Sequence, residues 1–141
     1  MKFWDTSAIV PLFLEEKNSK QAYEILSQDT QMIVWSLTWI ECHSVLARLE
    51  REKLISFKKF SQAREDLKKL ENTWIVVEQL NWVQKRAERL IYLHVLHAAD
   101  ALQLAAALVA CEDRPVNMDF VTFDKQLARA AIKEGFCLVI E

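Results

Sequence analysis

The sequence predicts an α/β fold in three layers, α/β/α, with a parallel sheet and helices on both of its faces. Two observations carry this. Five apolar runs of strand length are spread along the chain, and they are mostly continuous rather than alternating, as strands buried on both faces are. Helix-like segments lie between them, and strands that alternate with helices favour a parallel sheet. Composition agrees. The chain has 141 residues, of which 52% are hydrophobic and 27% charged, the length of one domain with enough apolar material for one core. With one glycine and two prolines, nothing reads as a linker or a disordered tail. Residues 1–141 are therefore expected to form a single domain.

The first strand is KFW (2–4), and it ends at Asp5, followed at once by Thr6 and Ser7. Residues 19–28 read as a helix. MIVWS (32–36) is the second strand. A helix over 38–53 starts at Thr38 and carries Ile40, Val45, Leu46 and Leu49 on one stripe. Another, over 56–72, starts at Ser56. WIVVEQL (74–80) is the third strand, and a helix over 81–96 starts at Asn81. The segment DALQLAAALVACED, opened by Asp100, is apolar almost all round, the mark of a buried helix. FVTF (120–123) is the fourth strand, and Asp124 repeats after it the strand–acid–helix junction found at Asp5. The last helix stops at Gly135, the only glycine, in the position just past a helix end. FCLVI (136–140) is the fifth strand.

Several function classes are excluded or left without support. The net charge of −2 comes from 18 bases and 20 acids, which does not advertise a nucleic-acid partner, although a local patch can bind phosphate on a neutral chain. Three widely spaced cysteines, Cys42, Cys111 and Cys137, fit neither a disulfide framework nor a zinc site and suggest a reducing cytoplasm. The longest unbroken apolar run, LAAALVAC (104–111), is too short to span a membrane. The N-terminus is a poor signal peptide, because Asp5 and Pro11 break its apolar run. No Ser/His/Asp constellation is visible, which argues against a covalent intermediate.

The acids are the informative residues. Open parallel sheets bind ligands beyond the carboxyl ends of their strands, and parallel strands would bring Asp5 and Asp124 to the same edge. Glu41 lies one turn into the helix after the second strand, and Asp100 opens the buried helix. If these helices start at one edge, four carboxylates converge: Asp5, Glu41, Asp100 and Asp124. Crowded like charges repel, so such a cluster needs a cation. Oxygen ligands without His or Cys select Mg²⁺ or Mn²⁺. Each acid alone has a structural explanation as good. Asp5 and Asp124 suit ordinary N-caps, and TWIE (38–41) and DALQ (100–103) both suit capping boxes. Two features favour the cluster. No Arg or Lys lies within a turn of Asp100 in its apolar helix, and a buried carboxylate without a partner is costly. The two strand–acid junctions also recur at opposite ends of the chain.

WDTSAIVPLF, SLTWIECHSVLARL, HAADALQLAAAL and FVTFDKQLARAA together resemble the PIN-domain family, and especially the VapC-type toxins of toxin–antitoxin pairs. The pieces run in the family's order over essentially the whole chain. The resemblance implies a small α/β domain with an acidic, Mg²⁺- or Mn²⁺-dependent ribonuclease site, leaving a 5′-phosphate and a 3′-hydroxyl. Position by position it implies Asp5, Glu41, Asp100 and Asp124 as the acids, with Thr6 or Ser7 and Thr122 as supporting hydroxyls. Asp119 precedes the fourth strand, so Asp124 fits the pattern better. His43, His94 and His97 match no role in it. The resemblance also implies a homodimer and a cognate antitoxin, lying in a groove of the helices around 38–72.

An acidic site must still attract a polyanion. Lys125, Arg129 and Lys133 fall at i, i+4 and i+8 on one helix face beside Asp124, and Lys125 and Arg129 are candidate RNA contacts. The bases of 51–69 are interleaved with Glu52, Glu65 and Asp66 and read as a solvated face. Trp4, Trp35 and Trp74 fall in strands and read as core, whereas Trp39 neighbours Glu41 and could stack a base. The competing readings are a non-catalytic α/β binding module with capped helices, and a PIN-like nuclease acting in RNA processing or on DNA.

Overall fold

The computed structural model describes residues 1–139. Among these, five strands form one sheet: β1 (Lys2–Trp4), β2 (Met32–Trp35), β3 (Trp74–Val77), β4 (Asp119–Val121) and β5 (Cys137–Leu138). Their order is β3-β2-β1-β4-β5 and every neighbouring pair is parallel. The helices are α1 (Thr6–Phe13), α2 (Ser19–Gln28), α3 (Thr38–Arg51), α4 (Phe57–Glu71), α5 (Leu80–Leu93), α6 (Ala98–Ala110) and α7 (Lys125–Lys133).

Side chains alternate across a strand, so the continuous apolar runs feed two cores at once. Phe3, Ile33, Trp35 and Phe120 pack on one face against α5, α6 and α7. Trp4, Met32, Val34 and Val121 pack on the other against α1, α2, α3 and α4. Burying one large apolar side chain contributes roughly 1.5–3 kcal/mol. A one-residue slip would exchange the two sets, so the register is strongly specified. It pairs Phe3 with Ile33 and with Phe120, and the Phe3 and Phe120 rings stack at 5.5 Å.

From β1 the chain moves outward to β2 and β3, then returns to place β4 on the other side of β1. The order therefore reverses between β1 and β4, the kind of point at which open α/β sheets leave a crevice at their strand ends. Asp5 follows β1 and Asp124 follows β4, and Asp5 N–H donates to the Val121 carbonyl at 3.1 Å across the gap.

The structure differs from the sequence expectation at several element ends. The third strand stops at Val77, because Leu80 already begins α5. It is an edge strand with Ile75 and Val76 exposed, so continuous apolar character does not mean burial on both faces here. The helix expected over 38–53 ends at Arg51, and Lys53 takes a positive φ of 57°. The helix expected over 81–96 ends at Leu93, and the buried helix begins two residues before Asp100. The fourth strand starts at Asp119, so this acid does not precede the strand but opens it, at the end remote from Asp124. Ile140, assigned to the fifth strand from sequence, lies outside the described residues. Gly135 closes α7 as expected, at φ 103°. Its N–H donates to the Ile132 carbonyl and that of Phe136 to the Ala131 carbonyl, both at 3.0 Å, the double bond pattern of a left-handed helix stop.

Candidate functional site

Asp5 is both a cap and a buried acid. It holds an extended conformation as the N-cap of α1 and accepts from Ala8 N–H at 3.3 Å. It is 3% exposed, and burial pushes its carboxyl up to about 7, against the lowering effect of hydrogen bonds from Ser7, Thr122 and Ala8. Ser7 Oγ donates to both Asp5 oxygens, at 2.9 and 3.0 Å. The same oxygen accepts from Phe123 N–H at 2.9 Å and lies 3.2 Å from Thr122 Oγ1. A serine hydroxyl has one proton and two lone pairs. With the Ser7 proton given to Asp5, the single proton of Thr122 is left for Ser7 or for Asp5 itself. Thr122 Oγ1 accepts in turn from Asp124 N–H at 3.0 Å. Asp124 caps α7, accepting from Leu127 N–H at 2.9 Å. A chain of hydroxyls thus joins the two strand-end acids.

The other two acids are not caps. The N-cap of α3 is Leu37, which makes no side-chain cap bond. The capping-box reading of Thr38–Glu41 is therefore overturned: Thr38 is the first helical residue, and its buried hydroxyl accepts from Gln103 Nε2 at 3.0 Å. Glu41 Oε1 accepts from the same Nε2 at 2.9 Å. Partial burial raises the Glu41 pKa, Gln103 and Thr6 lower it, and the Asp100 charge raises it again. His97 holds the N-cap position of α6 without a side-chain cap bond, so the box at 100–103 is overturned too. Asp100 sits in the first turn, half-buried. Burial raises its pKa, the Asp124 charge adds to this, and His97 lowers it.

These couplings place Glu41 near Asp100 and Asp100 near Asp124, while Ser7 and Thr122 link Asp124 to Asp5. Thr6 reaches the other way, its Oγ1 accepting from Gln103 Nε2 at 3.0 Å. Thr6 and Ser7 were alternatives from sequence; Thr6 bonds to Gln103 and Ser7 to Asp5. Among the described residues none of the four acids is ion-paired to a base. The donors on offer are all carboxylate and hydroxyl oxygens, the set a hard divalent cation takes. Among the described residues no three acidic, His or Cys side chains stand close enough to chelate an ion. Burial, together with the Glu41, Glu71 and Asp5 charges, pushes the Cys42 thiol far above its ordinary value, so it offers no thiolate.

Gln103 and Thr38 were missed from sequence as site residues. One signal was present: Gln103 interrupts an otherwise apolar run. His43 Nε2 bonds to Glu71 and His94 Nε2 to Glu134, each at 2.7 Å, as structural histidines do. Lys125, Arg129 and Lys133 are exposed and, among the described residues, unpaired. Arg129 and Lys133 line a cleft of about 320 Å³ with His94 and Gln126. Trp4 and Trp35 are core, Trp74 is half-buried, and Trp39 is 51% exposed with its ring edge-on to His43 at 5.3 Å.

A model of the PIN domain family matches residues 2–133. No curated protein matches the chain. Among solved structures it is similar to a toxin–antitoxin complex from Klebsiella pneumoniae, with 23% identity, 91% of each chain covered and a TM-score of 0.61. It is also similar to FitAcB from Neisseria gonorrhoeae, with 17% identity, 98% of this chain and 96% of that one covered, and a TM-score of 0.67. At these identities the likeness is one of fold.

Proposed function

This chain belongs to the PIN-domain family, and from that premise we propose that it is a Mg²⁺- or Mn²⁺-dependent endoribonuclease, the toxin of a toxin–antitoxin pair, working as one domain over residues 1–141. The observation that carries the proposal is the set of Asp5, Glu41, Asp100 and Asp124 around the β1/β4 switch point, none of them ion-paired to a base among the described residues. Structural economy does not explain it, since Glu41 and Asp100 cap nothing. A divalent ion bound there would lower the pKa of an attacking water and offset the charge developing on the phosphate.

The chain's own residues have distinct tasks. Asp5 must be ionised to serve, and the hydroxyl of Ser7 and the N–H of Ala8 favour that form. Glu41 is held from behind by Gln103, and Asp124 by Leu127 N–H. Lys125 and Arg129 leave the site on the exposed face of α7 and would take the RNA backbone. The exposed Trp39, two residues before Glu41, would stack an unpaired base.

The partner assignments are a homodimer and an antitoxin helix. Leu37, Trp39, Ile40, Leu54 and Phe57 are exposed around α3 and α4, an apolar surface suited to an amphipathic segment that would reach the acids. Among the described residues no helix is long and apolar enough to cross a membrane, and we place the protein in the cytoplasm.

The test is incubation of the purified protein with total RNA, with Mg²⁺, with Mn²⁺ and with EDTA, followed by mapping of the cut ends. Cleavage with 5′-phosphate ends, abolished by EDTA and absent from Asp5→Asn, is expected. Cleavage undiminished in EDTA sinks the metal mechanism. Expression without a partner should arrest a bacterial host, and Asp5→Asn should not; equal growth at equal protein levels removes the toxin assignment and leaves a nuclease of another role. The cap bonds of Asp5 and Asp124 favour one alternative, a non-catalytic module, in which amide replacements change nothing.

A further inference from the structure

Gln103 is 1% exposed in the middle of α6, whose other buried residues are all apolar. A leucine there would bury without any polar cost, so the amide needs a reason. Its Nε2 stands 3.0 Å from Thr6 Oγ1, 3.0 Å from Thr38 Oγ1 and 2.9 Å from Glu41 Oε1. The three acceptors come from α1, which Asp5 caps, and from α3, which carries Glu41 in its first turn. An amide nitrogen carries two protons, and a carboxylate is the strongest acceptor of the three. The amide is also oriented at a cost. Its Oε1 is buried and meets no partner. Turning the amide over would let the threonine hydroxyls donate to Oε1, but would set that oxygen against the Glu41 carboxylate. The observed arrangement leaves the oxygen unpaired and keeps the donor on Glu41.

We propose that Gln103 is a positioning residue for Glu41, an amide in the core that fixes the direction of this carboxylate from behind and locks α1 and α3 to α6 beneath the site. Its contact with the side chain that would meet the ion is of the type known to tune metal sites from the second layer. In its metal readout the inference rests on the nuclease reading; in its effect on Glu41 alone it does not.

The experiment uses the full chain with Gln103→Met, which keeps the volume and removes the amide, and with Gln103→Asn, which keeps the amide and withdraws it by one methylene should the apolar variant fail to fold. A double-mutant cycle with Glu41→Ala, which removes the acceptor, is run on urea unfolding in EDTA, and Mn²⁺ binding is titrated by electron paramagnetic resonance. The two substitutions should be coupled in EDTA, and the Gln103 variants should bind Mn²⁺ about 10- to 100-fold more weakly than the parent while unfolding cooperatively. Additive effects in EDTA overturn the proposal. So does parental Mn²⁺ affinity in a folded Gln103 variant, which would make the amide structural only. A parent that binds no Mn²⁺ overturns the metal-dependent reading instead, and the cycle in EDTA still decides whether Gln103 holds Glu41.

Discussion

Ser7 Oγ lies 3.2 Å from Thr122 Oγ1, across 115 positions of sequence. Through this contact the acid after β1 and the acid after β4 share one hydroxyl chain, from Asp5 to Ser7 to Thr122 to the Asp124 backbone. Parallel pairing of β1 with β4 brings the two junctions together; the hydroxyls then decide how the carboxylates face.

Ser7→Ala should test this chain. It strands the Phe123 N–H and removes the Ser7 contact of Thr122 and the Ser7 donor from Asp5. Leaving buried polar groups unpaired costs about 1–3 kcal/mol. Urea unfolding should show a loss of that order, with RNA cleavage reduced. A variant as stable and as active as the parent would show that the chain orients nothing.

The pH dependence of metal-free stability should carry the signature of Asp5. Its carboxyl is raised from 3.8 to about 7 by burial, so between those values the folded protein binds more protons than the unfolded chain. This contribution is fully present below pH 3.8, and it is lost as pH rises through about 7, with a slope of up to about 1.4 kcal/mol per pH unit. Glu41 and Asp100 are raised as well and act in the same direction. The measurement is unfolding in EDTA at several pH values, taken as the difference from Asp5→Asn, which cannot titrate there. A difference independent of pH would contradict the burial of a carboxyl in this position.

Amide replacements separate capping from charge. Asp124→Asn keeps an oxygen for Leu127 N–H and caps about as well. Metal-free stability should therefore stay within about 0.5 kcal/mol or rise, because repulsion with Asp100 is relieved. Asp100→Asn has no cap bond to lose and should raise it. Glu41→Gln keeps an oxygen that can accept from Gln103 Nε2 and should keep the fold. All three should lose cleavage and most of the Mn²⁺-induced rise in Tm. Parental behaviour in both assays would return these acids to ordinary helix starts.

Lys125→Ala combined with Arg129→Ala should weaken RNA binding and lower the slope of log K against log salt by about 1–2, since each phosphate contact releases counterions. Binding measured at several salt concentrations decides it. An unchanged slope would make this line of bases a solvated helix face.

The architecture was legible in the sequence, because the signals that set it are local. Continuous apolar runs such as MIVW, the all-round apolar α6 and the glycine after α7 each state a burial or a backbone requirement that any fold of this chain must meet. The recurrence of an acid after β1 and β4 was also plain, and parallel pairing sufficed to put both at one edge. The partners of the polar side chains, by contrast, were set by contacts between residues far apart in sequence. Thr38 and Glu41 have the spacing of a capping box, yet both face Gln103, 65 and 62 positions away. A buried amide with a carboxylate in reach bonds to it more strongly than a backbone N–H at a half-open helix start would. Likewise Ile75 and Val76 look like core and lie on an edge strand, 48% and 39% exposed, because strand order, not strand composition, determines which faces are covered. Caps and turns are written in neighbours three or four residues apart, whereas the partners of Gln103 and Ser7 exist only once α1, α3 and β4 have been brought to the same end of the sheet.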